Sequence, residues 1–338
     1  MLSTAEKQMI TTLSWFRSRY ALFLGLSPDR KADKINLDQF GQVWIGEFKE
    51  DWTDIYEVLI QKNILHLEYD TYSFTNYGEK IKDEVEAEIP FFKYEYDNYF
   101  NLEKTSLAHA RFCEEVYGLD LSQHGLIDQD ELGLLIELLK AGSAKKILDL
   151  GCGNGKITEW IAQETGILCV GLDISSEGIQ LAKQRTTENN LVHFETGNLN
   201  LIEYPDTFDV LLFLDTLYYA NNLKDTILSG MDILQMGGRI YAYFSQWIME
   251  AAYSENLQPD KTHLGKVLQE LNLDYFTIDL SSSGIHHWKK KWDTLNAMKD
   301  DFIQEGNEAL WEYRYREAYR YAHWGDEKYA RFLYVIRK

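Results

Sequence analysis

The strongest constraint on what this chain can fold into lies in residues 146–158, Lys-Ile-Leu-Asp-Leu-Gly-Cys-Gly-Asn-Gly-Lys-Ile-Thr. A short apolar run is followed at once by Gly151, Gly153 and Gly155, and then by a helical pattern. The apolar run is typical of a strand buried in a parallel sheet, and the glycines allow torsions and close backbone approach that side chains would forbid. A helix beginning near Gly155 would direct its free N–H groups toward the turn. The segment therefore predicts a strand, a ligand-binding turn and a helix.

A dinucleotide-binding turn would read G-x-G-x-x-G, but the spacing here is G-x-G-x-G, with Lys156 at the place of the third glycine. Further along the chain, a second strand over 170–173 ends in Asp173, an acid suitably placed to bind the hydroxyls of a ribose. This combination resembles the class I S-adenosylmethionine-dependent methyltransferases. The resemblance implies S-adenosylmethionine as the cofactor and S-adenosylhomocysteine as the product.

The remaining strands continue the resemblance. They are predicted over 191–195, 208–215, 237–244, 274–280 and 331–336. In the family the last strand of the sheet is antiparallel to the others. The expected fold class is therefore α/β, with a Rossmann-like seven-stranded methyltransferase sheet, its last strand antiparallel, in a domain over 126–338. A helical insertion over 281–329 is expected before the last strand, and an α+β winged-helix-like domain at the N-terminus.

The resemblance also implies a cofactor site made of residues at the ends of the strands. These are Asp149, Gly151, Cys152, Gly153, Asp173, Ile174, Asn198, Leu199 and Asp215. The glycines would lie against the methionine part of the cofactor, Ile174 and Leu199 against the adenine faces, and Asp215 near the ammonium group. Asn198 stands where the family commonly has an acid, but its amide oxygen can still accept from the adenine amino group. Asp149 would orient the glycine turn or the ligand's amino group, or serve as a structural acceptor for turn amides.

Methyl transfer from a sulfonium depends mainly on holding the nucleophile, methyl and sulfur in line. A general base would help an oxygen or sulfur acceptor and is dispensable for a neutral amine, and the candidates are His124, Tyr218 and His287. His124 lies where related enzymes place a gating segment, although a histidine before a glycine is also common in turns. Tyr218 and Tyr219 follow the fourth strand, where this fold faces the substrate, and they can line the acceptor pocket or stabilise a cation. The histidines 286, 287 and 323 lack the ligand spacing of a zinc site, so no metal is predicted.

Residues 1–90 are predicted to form the winged-helix-like domain. Helices are expected over 3–24, from Asn36 or Asp38 to Val43, over 51–62 and over 78–89, with a two-stranded hairpin, 64–69 and 71–75, before the last of them. A winged helix usually suggests DNA, yet these residues carry ten Lys or Arg against sixteen Asp or Glu. A reader of the major groove needs the opposite sign of charge. A dimerisation or substrate-capping module is therefore favoured over DNA binding.

Two further segments are rich in aromatic residues. The connector, 91–125, contains Phe91, Phe92, Tyr94, Tyr96, Tyr99 and Phe100 and then a helix over 106–116. Its aromatic rings either pack between domains or form a lid over the cofactor. The insertion, 281–329, is too long for a structureless loop and places Trp288, Trp292, Leu295 and Phe302 on one helical face and Trp311, Tyr315, Tyr319 and Ala322 on another. These faces either pack together, roof the pocket or build a subunit interface.

The net charge of −20 would repel a polyanion such as DNA or RNA. Because no apolar stretch approaches the roughly 20 residues that cross a bilayer, and the N-terminus lacks an apolar signal core, a cytoplasmic protein without membrane contact is expected. The sequence thus predicts methyl transfer to an oxygen or nitrogen of a small molecule, with a homodimer as one possible assembly. A methyltransferase acting on protein or RNA, or a non-catalytic DNA regulator with a ligand-sensing domain, stays open.

Overall fold

The computed structural model describes residues 1–15, 32–33, 52–69, 71–88, 91–205, 207–247, 257–323 and 325–338. The chain divides into two compact units, residues 1–95 and 96–338. The first unit therefore ends close to the predicted domain limit at residue 90. Most of the predicted connector belongs to the second unit.

The described part of the first unit combines helices with a small antiparallel sheet. Its elements are α1 (Thr4–Trp15), β1 (Ala32–Asp33), α2 (Trp52–Gln61), β2 (Leu65–Glu68), β3 (Thr71–Phe74) and α3 (Asn76–Glu88), with strand order β1-β3-β2. Helix α2 buries Ile55, Tyr56 and Leu59 at helical spacing against the rest of this core. The predicted hairpin and the helices around it are present. The short helix predicted near residues 36–43 lies outside the described residues, and the winged-helix assignment stays a prediction.

The second unit is built on one seven-stranded sheet. Its strands are β4 (Lys146–Leu150), β5 (Leu168–Asp173), β6 (Val192–Thr196), β7 (Phe208–Leu214), β8 (Leu234–Trp247), β9 (Tyr275–Asp279) and β10 (Tyr329–Arg337), in the order β6-β5-β4-β7-β8-β10-β9. Strands β4 to β8 pair in parallel, with Leu148 opposite both Val170 and Leu211. Strand β10 is antiparallel to both β8 and β9. The predicted sheet and its antiparallel last strand are confirmed.

Apolar cores lie on both faces of this sheet. Neighbouring strand residues such as Leu211 and Leu212 point to opposite faces and enter different core clusters, which is why β7 reads as an unbroken apolar run. The helices that cover the faces are α6 (Gln129–Lys140), α7 (Lys156–Thr165), α8 (Ser176–Arg185), α9 (Leu223–Ile233) and α10 (His263–Glu270). Several begin at a residue whose side-chain oxygen accepts from first-turn N–H groups, as Asp128 does for α6 and Ser175 for α8.

The insertion consists of α11 (Ser281–Ala297), α12 (Lys299–Gln304) and α13 (Glu308–Ala322). Because β10 is antiparallel to both its neighbours, β9 runs parallel to β8 and ends at the sheet edge where the glycine turn follows β4. The insertion therefore leaves the sheet at the edge that carries the glycine turn. Its apolar residues pack with those of α4 (Phe91–Glu103) and α5 (Leu107–Tyr117) in a separate core cluster. That cluster includes Tyr99, Phe112, Tyr117, Leu295, Phe302, Leu310 and Trp311.

Candidate functional site

The glycine turn between β4 and α7 has left-handed torsions that favour glycine. The φ angles are +88° at Gly151, +59° at Gly153 and +79° at Gly155. A Cβ on Gly151 would lie 2.5 Å from Cγ2 of Thr216, and one on Gly153 would lie 3.0 Å from the ring of Phe100. Torsion and crowding thus both require glycine here, and the backbone stays bare toward the carboxyl edge of the sheet.

Asp173, at the end of β5, ties the next strand to this turn. Its Oδ2 accepts from the N–H of Gly153 at 2.7 Å, and its Oδ1 accepts from the N–H of Ser175 at 2.8 Å. Burial raises the pKa of the Asp173 carboxyl to about 6, although these N–H donors oppose the shift. Ile174 follows it and is half-buried. The acid predicted to bind the ribose therefore lies at the turn, with its charge supported by backbone donors.

Asp149, on β4 beneath the turn, has one carboxylate oxygen paired and one unpaired. Oδ2 accepts from the hydroxyl of Thr158 at 2.6 Å, while Oδ1 is buried with no hydrogen-bond partner among the described residues. Burial raises the pKa of the Asp149 carboxyl to about 7. A buried acceptor without a donor costs about 1–3 kcal/mol. A ligand's ammonium group would satisfy this oxygen, so Asp149 and the bare glycine turn fit the amino-acid part of S-adenosylmethionine.

The segment after β6 holds the residues predicted for adenine. Oδ1 of Asn198 accepts from both the backbone N–H and the side-chain amide of Asn200, each at 2.9 Å. An adenine amino group would compete with these two donors, so this contact stays a prediction. Leu199 is half-buried against the sheet core. Cys152, inside the glycine turn, is half-buried with its Sγ 3.8 Å from the carbonyl oxygen of Gly153, and burial raises the pKa of its thiol.

Asp215, directly after β7, has partners other than the predicted cofactor ammonium. Arg331 of β10 donates to both of its carboxylate oxygens, and the N–H of Leu126 donates to Oδ2 at 3.0 Å. The hydroxyl of Tyr218 donates to Oδ1 at 3.3 Å and accepts from the N–H of Ser245 at 2.6 Å. Asp215 is thus neutralised by protein groups, and its contacts are those of a structural carboxylate. Burial raises the pKa of Tyr218, which therefore keeps its proton at neutral pH.

His124 lies in a group of aromatic rings that we call the tyrosine–histidine cluster, made of Tyr96, Tyr99, His124, Tyr219 and Tyr313. Ring centroids of Tyr96 and Tyr99 lie 5.1 and 4.9 Å from that of His124, and its Nε2 is 2.9 Å from the Tyr313 hydroxyl. Burial, and then the charges of Arg314 and Lys291, hold the pKa of His124 well below its usual value. The imidazole is therefore neutral at physiological pH and able to accept a proton.

His287, the other candidate base, lies on α11 in a different setting. Its ring packs against Tyr117, with centroids 4.8 Å apart, and Nδ1 is 3.9 Å from a carboxylate oxygen of Asp128. Burial holds the pKa of His287 well below its usual value. The described contacts of His287 are with Tyr117 and Asp128, and they place it outside the tyrosine–histidine cluster.

Helix α4 lies over the glycine turn and contributes residues that were missed as site residues. Asp97 accepts from the Ser175 hydroxyl at 2.6 Å, Glu103 accepts from the Asn154 amide at 2.8 Å, and the Tyr96 hydroxyl is hydrogen-bonded to that of Tyr219. The aromatic run of the connector was a signal for this helix. Arg314, Tyr313 and Arg331 were also missed. A charged residue at the start of the apolar strand sequence 331–336 was the available sign of a buried ion pair.

Within the described ranges, no group of three or more His, Cys, Asp or Glu side chains is arranged to hold a metal ion. In the same part of the chain, none of the helices combines the length and apolar character that a membrane span requires.

The sheet and the glycine turn are similar to those of known methyltransferases. A family model described as "Methyltransferase domain" matches residues 141–300. Phosphoethanolamine N-methyltransferase 1 of Zea mays is 26% identical over 185 residues, which cover 50% of this chain and 36% of that protein. The 27-O-demethylrifamycin SV methyltransferase of Amycolatopsis mediterranei is 23% identical over 233 residues, covering 61% of this chain and 85% of that protein. The ubiquinone biosynthesis O-methyltransferase of Klebsiella pneumoniae is 28% identical over 145 residues, covering 39% and 59%.

This chain thus spans about a third of the maize protein's length and about six tenths of the Klebsiella protein's. Among solved structures, phosphoethanolamine N-methyltransferase 2 of Haemonchus contortus, in complex with phosphomonomethylethanolamine and S-adenosylhomocysteine, has a TM-score of 0.57 at 12% identity, covering 72% of this chain and 60% of that one. The [4+2]-cyclase SpnF has a TM-score of 0.53 at 17% identity, covering 72% and 96%. These two structures show the shared fold. The strand order and the two structures show a Rossmann-like methyltransferase fold, and over residues 141–300 the chain is similar to methyltransferase domains.

Proposed function

We propose that the protein is an enzyme that transfers a methyl group from S-adenosylmethionine to an oxygen or nitrogen of a small molecule by in-line displacement. The observation that carries the proposal is the unpaired Oδ1 of Asp149 beside the bare glycine turn. The cofactor, when bound, supplies an electrophilic methyl group on a sulfonium. The names of the relatives, which include O- and N-methyltransferases of small molecules, agree with this proposal.

At the cofactor end, the chain's own residues bind and orient. Asp149 would pair with the ammonium group, the turn from Gly151 to Gly153 would lie against the methionine part, and Asp173 would bind the ribose hydroxyls. The carboxylates of Asp149 and Asp173 are buried, so each would interact with the ligand in an environment of low dielectric constant. The ring of Phe100, which crowds Gly153, would act as the lid over this end of the site.

At the acceptor end, the tyrosine–histidine cluster offers phenol hydroxyls and a neutral imidazole. Neutral His124 would take the proton of a hydroxyl acceptor, whereas a neutral amine acceptor would arrive already nucleophilic. The tyrosine rings can also stabilise a methylated cation through their faces. Tyr218 and His287, the other candidate bases, are not given that role in this proposal. Tyr218 donates to Asp215, and His287 packs against Tyr117.

Nucleic acid is not proposed as a substrate, since a net charge of −20 opposes binding of a polyanion. For the first unit we propose a capping or dimerisation role, in keeping with its excess of acidic residues. A cytoplasmic location is proposed because no apolar stretch of the sequence approaches the roughly 20 residues that cross a bilayer.

The test has two stages. Calorimetric titration of the full chain with S-adenosylhomocysteine should give saturable binding, and a metabolite screen with S-adenosylmethionine should then identify acceptors by release of S-adenosylhomocysteine. Absence of binding, or preferential binding of a pyridine nucleotide, would overturn the proposal. Retarded migration of DNA without turnover of S-adenosylmethionine would instead favour the regulator alternative, and methylation of added RNA or protein would favour a macromolecular acceptor.

A further inference from the structure

Arg314, on the insertion helix α13, reaches the backbone of the segment that carries His124. Its Nη1 donates to the carbonyl oxygen of His124 at 3.1 Å, and its Nη2 donates to that of Gln123 at 3.0 Å and to the Tyr117 hydroxyl at 2.7 Å. A guanidinium is suited to this because its planar fork presents several donors at fixed angles. The two neighbouring carbonyls of residues 123 and 124 are thus held by one side chain.

The next two peptides are held by other buried groups. The Tyr117 hydroxyl donates to the carbonyl oxygen of Gly125 at 3.0 Å, and the N–H of Leu126 donates to Asp215 at 3.0 Å. A Cβ on Gly125 would lie 2.9 Å from a carboxylate oxygen of Asp215, so the backbone approaches this acid as closely as only glycine allows. Four consecutive residues, 123–126, are therefore fixed by three buried side chains from different parts of the fold.

The side chain of His124 is held by the same helix that holds its main chain. Tyr313, the residue before Arg314, bonds Nε2 of His124 at 2.9 Å. Arg314 is fully buried, and its guanidinium lies 5.3 Å from the ring centroid of Phe112 and 5.8 Å from that of Tyr99. Burial of a guanidinium is costly unless its donors are used, and here the described acceptors are two carbonyls and a phenol. The hydrogen bonds that offset the burial of Arg314 are therefore made to the segment that carries His124 and to Tyr117, which itself holds that segment.

We propose that Arg314 is a positioning residue, which fixes residues 123–126 so that the His124 ring stands in the tyrosine–histidine cluster as a proton acceptor. The inference rests on the proposed function, because it assigns His124 to the acceptor side of the same site. Under this proposal the insertion contributes residues that position His124 in that site. The helices α11 to α13 then do more than pack against α4 and α5.

The test uses the full chain and the variants R314Q, R314K and Y117F, with K291M as the matched control. Lys291 is likewise fully buried in the insertion and contacts Glu317, Trp288 and, at 5.9 Å, the ring face of Tyr117, and no described hydrogen bond joins it to residues 123–126 or to the Tyr117 hydroxyl. Hydrogen exchange of the Leu126 amide should accelerate by about tenfold or more in R314Q, the scale of one lost net hydrogen bond, with a smaller acceleration in R314K and Y117F. K291M should leave exchange of this amide close to that of the wild type even if it lowers the melting temperature.

Nuclear magnetic resonance titration of His124, assigned with H124Q, separates charge from geometry. The pKa of His124 should rise in R314Q, which removes a positive charge, and stay low in R314K, which retains it. Unchanged exchange at Leu126 in R314Q, or equal acceleration in K291M, would overturn the positioning role. If R314Q does not fold, R314K and Y117F decide the question by the same exchange measurement.

Calorimetry with S-adenosylhomocysteine keeps this proposal distinct from the proposed function. Failure of the wild type to bind would reject the methyltransferase site, whereas the exchange data would still decide whether Arg314 fixes the segment. In R314Q the affinity for S-adenosylhomocysteine should stay within about twofold of wild type, because Arg314 acts on the other side of the site. With an acceptor from the screen, R314Q should have a lower kcat than the wild type. The double variant R314Q/H124Q should have nearly the same kcat as H124Q alone. Additive losses would overturn the role.

Discussion

Arg331 on the last strand and Asp215 after the fourth strand of the sheet form a buried ion pair that crosses the intervening strand β8. Arg331 also donates to both carboxylate oxygens of Glu131 on α6, through Nε at 3.1 Å and Nη2 at 2.8 Å. It pairs in register with Ser245 of β8, whose hydroxyl accepts from Nη1 at 3.2 Å. One guanidinium therefore donates to two buried carboxylates and connects the last strand to the loop that precedes Tyr218.

Replacing Arg331 with methionine should lower the free energy of unfolding by about 3–5 kcal/mol, because two buried carboxylates would lose their shared counter-charge. The matched control is R337Q on the same strand, since Arg337 pairs with Asp274 at 2.9 Å on the exposed surface. Such an exposed pair contributes at most about 1 kcal/mol. Urea unfolding followed by circular dichroism measures both changes. Equal losses in the free energy of unfolding would show that the buried pair contributes no more to stability than the exposed one.

The sheet was predictable because each strand can be identified from its own short stretch of sequence, an apolar run with turn residues at its end. The pairing of Arg331 with Asp215 was not predictable in the same way. Asp215 could be placed at the carboxyl edge of the sheet from its position after β7. Its partner lies 116 residues away in sequence, and their contact depends on the registers of two strand pairs. The charge of Arg331 in an apolar strand indicates a buried pair without naming the partner.

Some residues of the candidate site were likewise predictable from local sequence, whereas others depend on the tertiary structure. Asp149, Gly151, Gly153 and Asp173 come together because they end adjacent parallel strands, which a strand prediction already implies. His124 could be named as a candidate, but the residues that hold it, Tyr313 and Arg314, belong to an insertion whose path over the sheet edge no local pattern specifies. The aromatic content of the insertion indicated packing, and only its tertiary position gave the contacts with His124.

Replacing Gly153 with alanine should abolish measurable binding of S-adenosylhomocysteine. An alanine at position 153 would have to keep the left-handed φ of +59°. Its Cβ would lie 3.0 Å from the ring of Phe100, at the turn where the ligand is proposed to bind. G166A is the matched control, because Gly166 has a φ of +71° with open space around its Cβ position. Its cost should be limited to backbone strain of about 1 kcal/mol in stability. Calorimetry on both folded variants checks the difference, and normal binding by G153A would make the turn merely structural.

Replacing Asp173 with alanine should weaken binding of S-adenosylhomocysteine by about 1–2 kcal/mol or more, the scale of a lost charge-assisted hydrogen bond. The change removes the acceptor of Gly153 N–H as well as the predicted partner of the ribose. D209A is the control, since Asp209 accepts from the N–H groups of Lys145 and Lys146 at 2.8 and 2.9 Å, at the other edge of the sheet. Calorimetric affinity should change in D173A and stay at the wild-type value in D209A. An unchanged affinity in D173A would remove this acid from the site.

The pH dependence of cofactor binding should report the protonation of Asp149. Because burial raises its pKa to about 7, the carboxyl is largely protonated at pH 6 and largely ionised at pH 8. If the ionised form pairs with the ligand's ammonium group, the affinity for S-adenosylhomocysteine rises with pH through this window, by at most about tenfold per pH unit, and levels off above it. In D149N the affinity should be lower at pH 8 and the rise between pH 7 and pH 8 should disappear, because Asp173, with a pKa of about 6, is largely ionised in that interval, whereas D209N should keep the wild-type profile. Calorimetry at pH 6, 7 and 8 decides, because a flat wild-type profile, or the same rise in D149N, would assign the unpaired oxygen to something other than the ammonium.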